Sequence, residues 1–149
     1  SGEWFEIHNP TVNPIKLDGL VIADAAAKYT VFAPGLQVAA NGWLVFGRND
    51  DQVKNGGVPV NKAYGTVTLN NTDGDTLRLE LADGTLIDQV LYTPDASGWP
   101  KLGNGASYQL AAGKYDAIAN DFGGNWCLGT NTFGAGDLGT PGKHNNACP

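Results

Sequence analysis

The chain has 149 residues, 42% of them hydrophobic and 16% charged, which suits one domain with a sizeable core and excludes a disordered tail or a coiled coil. Its 21 Gly and 8 Pro break helices, and without a Gly-X-Y period they do not make collagen. Fifteen acidic against nine basic side chains leave a net charge of −6 and no basic run, which excludes nucleic acid and anionic lipid as expected partners.

Residues 4–8 read as a strand ended by the turn pair Asn9-Pro10. A short apolar run, 20–23, follows Asp18-Gly19, and residues 29–32 mix aromatic and β-branched side chains before Pro34-Gly35. Asn41-Gly42 marks a turn, and Trp43-Leu44-Val45-Phe46 behind it predicts a buried strand. Residues 48–62 form the longest polar stretch, a loop expected to be exposed. A strand at 66–69 comes next. Leu77, Leu79 and Leu81 then alternate within 76–81, and Asp83-Gly84, a type I′ turn pair, leads into 86–92. Leu86, Ile87, Val90 and Leu91 cannot share one face, so the return strand is buried on both sides or carries a bulge. Beyond Thr93, Gly and Pro dominate, with strands expected at 106–110 and near Trp126-Cys127 and one helical turn within 116–121. No stretch approaches the roughly 20 apolar residues of a membrane span. About eight short strands joined by turns describe a sandwich. No linker or internal repeat divides the chain, and its opening Ser1-Gly2-Glu3-Trp4 reads as a mature form or an excised fragment rather than a signal peptide.

Two cysteines, Cys127 and Cys148, read as a disulfide that pins the tail and implies an oxidising compartment; the alternative is two buried thiols. Gly134-Ala135-Gly136-Asp137-Leu138-Gly139 has dinucleotide-fingerprint spacing, but Thr140-Pro141-Gly142 cannot open the helix that the fingerprint needs. Neither His8 nor His144 sits in zinc-type spacing, and both read as ordinary surface or strand-end residues. Glu3 and Glu6 are three apart on a strand and so face opposite sides, as rim charges flanking core Phe5 and Ile7. Asn49, Asp50 and Asp51, and then Asp73 and Asp75, offer loop oxygens of the kind calcium prefers, without the full EF-hand pattern. No cofactor is expected, calcium being the one candidate; the plain reading is solvated loop carboxylates. Trp4 and Trp43 lie in strand patterns and read as core. Trp99 and Trp126 stand beside Gly and Pro, are expected to be partly exposed, and are the ligand-binding candidates for a sugar-stacking face.

The opening Gly2-Glu3-Trp4-Phe5-Glu6-Ile7-His8-Asn9-Pro10 with Leu17-Asp18-Gly19-Leu20-Val21-Ile22 resembles the lamin tail domain. Gly42-Trp43-Leu44-Val45-Phe46-Gly47 is similar to that family's Gly-aromatic-Leu-Val-Leu-Gly strand. Leu69-Asn70-Asn71 through Gly74-Asp75-Thr76-Leu77-Arg78-Leu79 and Asp83-Gly84-Thr85 resemble its central hairpin. Asp137-Leu138-Gly139-Thr140-Pro141-Gly142 with Asn145 resembles the closing signature of bacterial members. The resemblance implies an all-β, immunoglobulin-like sandwich of about eight or nine strands, Greek-key in type, spanning residues 1–149. Family members usually begin with an earlier strand of Asn-Glu-Ile type, which is missing here, so either truncation removed it or another segment covers that sheet edge. Bacterial members often occur in secreted or surface proteins, and the domain has no catalytic residues to carry over. The expected function is a non-catalytic interaction or surface-attachment module, an accessory domain of a larger secreted protein. Its partner would be a protein or a cell-surface polymer, met outside the cell, at its surface or in the periplasm. The alternative is a carbohydrate-binding module, with or without a structural calcium ion. A hydrolase would require Asp50, Asp51, Asp73 and a histidine to converge.

Overall fold

The computed structural model describes residues 2–149 and contains, among the described residues, thirteen short strands and two 3-10 turns. In chain order the strands are β1 (Trp4–His8), β2 (Ile15–Lys16), β3 (Val21–Ala23), β4 (Lys28–Thr30), β5 (Gln37–Val38), β6 (Trp43–Gly47) and β7 (Lys62–Ala63). There follow β8 (Asp75–Glu80), β9 (Leu86–Tyr92), β10 (Tyr108–Leu110), β11 (Trp126–Leu128), β12 (Thr132–Phe133) and β13 (Asp137–Leu138). The 3-10 turns, Ala119–Asp121 and Gly123–Asn125, lie within and just beyond the stretch expected to be helical.

Two sheets enclose the core. One is ordered β1-β6-β7 and the other β4-β3-β8-β9. Phe5 pairs with Phe46 and Ile7 with Leu44, and these four point inward onto Ile22, Leu77 and Leu79. The Phe5 and Phe46 rings stack at 5.2 Å, and Phe46 and Ile22 are fully buried. Each such side chain contributes roughly 1.5–3 kcal/mol through its removal from water.

Asn9 closes β1 from inside. Its amide donates to the carbonyls of Asn13, Val38 and Ala39, and its oxygen accepts from the Thr11 N–H and hydroxyl. Asn9→Ala strands those carbonyls in a buried site, and an expected loss of roughly 2 kcal/mol is measurable as a lower urea midpoint.

Several expectations change in the folded chain. The 48–62 loop is not simply exposed, because Asn55 and Val58 are buried. The Asn55 amide donates to the Asn49 and Val58 carbonyls while its oxygen accepts from the Gly57 and Val58 N–H groups, so the loop packs on its own side chains. Residues 66–69 form no strand: the Thr68 N–H goes to the Asp24 carboxylate instead of a ladder, with Val67 buried beside it. Asp83-Gly84 is not a type I′ pair, since Gly84 has a φ of 88° but Asp83 keeps a negative φ. The turn closes with the Gly84 N–H on the Leu81 carbonyl and the Leu81 N–H on that of Thr85, a type I turn with a glycine bulge. Leu79 pairs with Asp88 and Glu80 with Leu86, which leaves Ile87 as the extra residue of a bulge. Asp88, Val90 and Tyr92 consequently face inward with Leu77 and Leu79. Leu86, Ile87 and Leu91 are about half exposed on the outside, so the strand is bulged and not buried on both faces.

The outer face of β1 and β6 is also covered. Trp4, Glu6 and His8 alternate onto it, and residues beyond 105 pack there through Phe133, Tyr115 and Gly142. Trp4 and Trp43 therefore belong to this second layer and not to the main core, because Phe5, Ile7, Leu44 and Phe46 occupy the inward positions of the same strands. A Cys127–Cys148 disulfide, with Cα atoms 5.7 Å apart, ties the end of the layer to β11. On its other side β1 has no neighbour, for no strand of the described residues pairs with that edge.

Candidate binding groove

A cavity of about 1450 Å³ runs along residues 2–10, between β1 of one sheet and the inward side chains Asp88, Val90 and Tyr92 of the other. Trp99, Tyr108 and Trp126 contribute an aromatic wall. Trp99 and Trp126 stack at 5.1 Å, and Tyr108 stands 5.1 Å and Tyr92 6.1 Å from Trp99. Trp99 is only 6% exposed, which corrects the expectation that it is partly exposed. Its indole is hidden by the neighbours it stacks on. Trp126 is half-buried and donates from Nε1 to the Asn120 carbonyl at 2.8 Å.

Gln109 points to the opposite face of β10 from Tyr108, beside its strand partner Cys127. The buried Gln109 amide donates to the Asn146 carbonyl at 3.2 Å, and its Oε1 has no partner among the described residues. Asn120 donates to Asp88 at 2.8 Å, leaving Asn120 Oδ1 and Asp88 Oδ1 without donors. Burial pushes the Asp88 carboxyl above its ordinary value, against the lowering effect of the Asn120 bond.

Glu6 is not a rim charge. It accepts the Gly142 N–H at 2.8 Å on the covered face of β1, and burial raises its carboxyl to about 7 although that hydrogen bond pulls it down. Glu3 lies on the opposite face and accepts the Tyr64 hydroxyl at 2.8 Å, so the two carboxylates share no site. Burial first, then the Glu3 charge, holds the Tyr64 hydroxyl well above the usual phenol range. Asp24 behaves oppositely: burial would raise it, but the N–H groups of Thr68, Ala26 and Ala27 and the Arg78 charge together hold it low.

His8 stacks on Trp43 at 4.3 Å, and Tyr115 and His144 join the same aromatic cluster at 5.2 and 5.3 Å, His8 to Tyr115 and Tyr115 to His144. Sequence spacing could not bring His8 and His144 together across 136 positions, although the alternation of Trp4, Glu6 and His8 already marks one face. The acidic loop residues do not converge. Asn49 and Asp51 cap neighbouring N–H groups of their own loop, Asp51 pairs with Lys54 at 3.1 Å, and Asp75 accepts from the Asn70 and Thr76 N–H groups. Asp50 and Asp73 are exposed, and no group of three or more His, Cys, Asp or Glu among the described residues is placed to hold a metal ion. The Gly134–Gly139 run forms the β12–β13 turn, and no helix follows it.

Two facing sheets around one core define an immunoglobulin-like β-sandwich. The family model of the lamin tail domain matches residues 1–94, and the chain belongs to that family. The match spans the strands from β1 to β9 that make up the two sheets and ends before the second layer, so the closing Asp137–Gly142 resemblance lies outside it. The family's fold is a non-catalytic one whose members mediate protein interactions. No curated protein and no solved structure matches the chain. No helix among the described residues is long and apolar enough to cross a membrane.

Proposed function

We propose that the chain is a non-catalytic interaction or surface-attachment module that works outside the cell or at its surface, as an accessory domain of a larger secreted protein. The observation that carries this reading is the immunoglobulin-like sandwich of a family whose members mediate protein interactions. A disulfide supports an oxidising compartment, and the net charge of −6 speaks against a nucleic-acid partner. The partner is a protein or a cell-surface polymer. A carbohydrate ligand is the second reading, favoured by the half-buried Trp126 in the lining of the groove.

Binding of the full chain to an immobilised cell-surface fraction, one half treated with protease and the other with periodate, separates them. A protein partner predicts binding abolished by protease and preserved after periodate. The reverse pattern moves the assignment to carbohydrate, and no binding to the untreated fraction sinks both.

A further inference from the structure

We propose that Asn104 is a site of spontaneous covalent modification: the Gly105 nitrogen displaces its side-chain ammonia, and the aspartate or isoaspartate that results loosens the hold of this turn on β13. The inference goes beyond the functional reading and does not rest on it, since the reaction involves the main chain and no partner.

The sequence holds three Asn-Gly pairs, at 41–42, 55–56 and 104–105. Glycine after asparagine favours ring closure, because no Cβ hinders the attacking backbone nitrogen. At the third pair the Gly105 nitrogen bonds to Asn104 Cγ, the Cγ–Nδ2 bond breaks, and the Gly105 proton leaves with Nδ2 as ammonia. Water, the only co-reactant, then opens the five-membered imide at either carbonyl. One opening gives aspartate; the other gives isoaspartate, in which the main chain runs through Cγ. Nothing is oxidised or reduced.

The fold separates the three pairs. Asn55 is 2% exposed, and turning its Cγ toward Gly56 would give up the four hydrogen bonds its amide makes with Asn49, Gly57 and Val58. Asn41-Gly42 ends a turn whose closing bond is the Gly42 N–H itself, donated to the Ala39 carbonyl at 2.9 Å. The Asn41 N–H is held as well, by the Thr11 carbonyl at 3.1 Å. Asn104 and Gly105 instead occupy the two central positions of a turn closed by the Ala106 N–H on the Gly103 carbonyl at 3.3 Å. The N–H at the second central position takes no part in a turn's closing bond. Among the described residues no hydrogen bond engages the Gly105 N–H or the Asn104 amide, and both residues are exposed.

What the reaction changes follows from the neighbours of the turn. The Gly105 carbonyl accepts the Leu138 N–H at 2.6 Å, and the Ser107 N–H donates to the Leu138 carbonyl at 2.9 Å, so these two bonds fasten β13 to the 103–107 segment. The Asp137 carboxylate packs against the same turn, for a Cβ on Gly105 would stand 2.7 Å from its Oδ1. A second carboxylate at position 104 brings like charges together there. Isoaspartate also adds one carbon to the main chain beside the fastening.

The full chain, folded and in urea, is kept at pH 8 and sampled over time by trypsin digestion and mass spectrometry. Trypsin places Asn104 in peptide 102–114, Asn41 in 29–48 and Asn55 in 55–62, so each pair is read separately. In the folded chain, conversion at Asn104 is expected to run at least about tenfold faster than at the other two, whose reaction waits on local opening. In urea the three rates should converge. Isoaspartate is identified by an isoaspartate-specific methyltransferase, and Asn104→Gln should abolish that label in the folded chain. Amide hydrogen exchange at Leu138 should be faster in the aged chain than in the fresh one, while the β3–β8 amides stay unchanged. Equal folded-state rates at the three pairs, conversion led by Asn41 or Asn55, or no conversion of folded Asn104 overturns the proposal. Conversion at Asn104 with Leu138 exchange unaltered overturns the loosening of β13.

Discussion

Between pH 5 and pH 8 the folded chain is expected to lose stability, and Glu6→Gln is expected to remove most of that loss. The Glu6 carboxyl is raised to about 7 by burial under the second layer, with the Gly142 N–H as the partial compensation. Its ordinary value is 4.5. Below that value the carboxyl is protonated in both states and burial carries no ionic penalty. As the pH rises through the interval, the unfolded chain ionises freely while the folded chain does not, so the fold weakens until the pH passes about 7 and is level above it. The full interval corresponds to on the order of 3 kcal/mol. Asp88, raised by burial as well, acts in the same direction. Asp24 and Glu80 are held low, the latter by its bonds from Lys28 and Arg78, so their contributions fade only at more acidic pH and leave this window to Glu6. Urea midpoints at pH 5 and pH 8 for both proteins measure the effect. Identical midpoints for the unaltered chain, or a variant that still follows its slope, would rule out a buried neutral Glu6.

Removing the disulfide should be comparably costly. The double variant Cys127→Ser with Cys148→Ser frees a loop closed over a separation of 21 residues, worth roughly 3 kcal/mol. For a chain of this size the melting temperature would drop by about 6–12 °C. The loss is not confined to the unfolded chain. The closed segment carries Phe133 against Trp4, Gly142 against Glu6 and His144 beside Trp43, so it is the strap over the outer face of β1 and β6. Loosening it lets water reach that face. Tryptophan emission should shift to longer wavelength below the main transition, and the pH dependence carried by Glu6 should shrink as its carboxyl returns toward the ordinary value. Neither Cys127 nor Cys148 lies in the two facing sheets, so the far-ultraviolet β signal should survive until the main transition. Unchanged melting and unchanged emission would show that the bond stabilises nothing here.

The family model covers residues 1–94, and the second layer lies beyond it. That layer covers one face of β1 and leaves the strand's edge open.

Local pattern was enough to expect the strand at 43–46, the alternating leucines of β8 opposite β9 and the cysteine pair, whereas the choice of a bulge over burial on both faces at 86–92 came from the register. A two-residue period and turn chemistry are properties of neighbouring residues, and the opposite orientation of Glu3 and Glu6 follows from the same period. Burial of Glu6, enclosure of Trp99, the meeting of His8 with Tyr115 and His144, and the self-packed 48–62 loop were decided only in three dimensions. Each depends on which distant segment arrives at a given face. Glu6 meets Gly142 across 136 positions, and Asn120 meets Asp88 across 32. Alternation tells that a side chain has a face; only long-range packing tells whether water or protein lies against it.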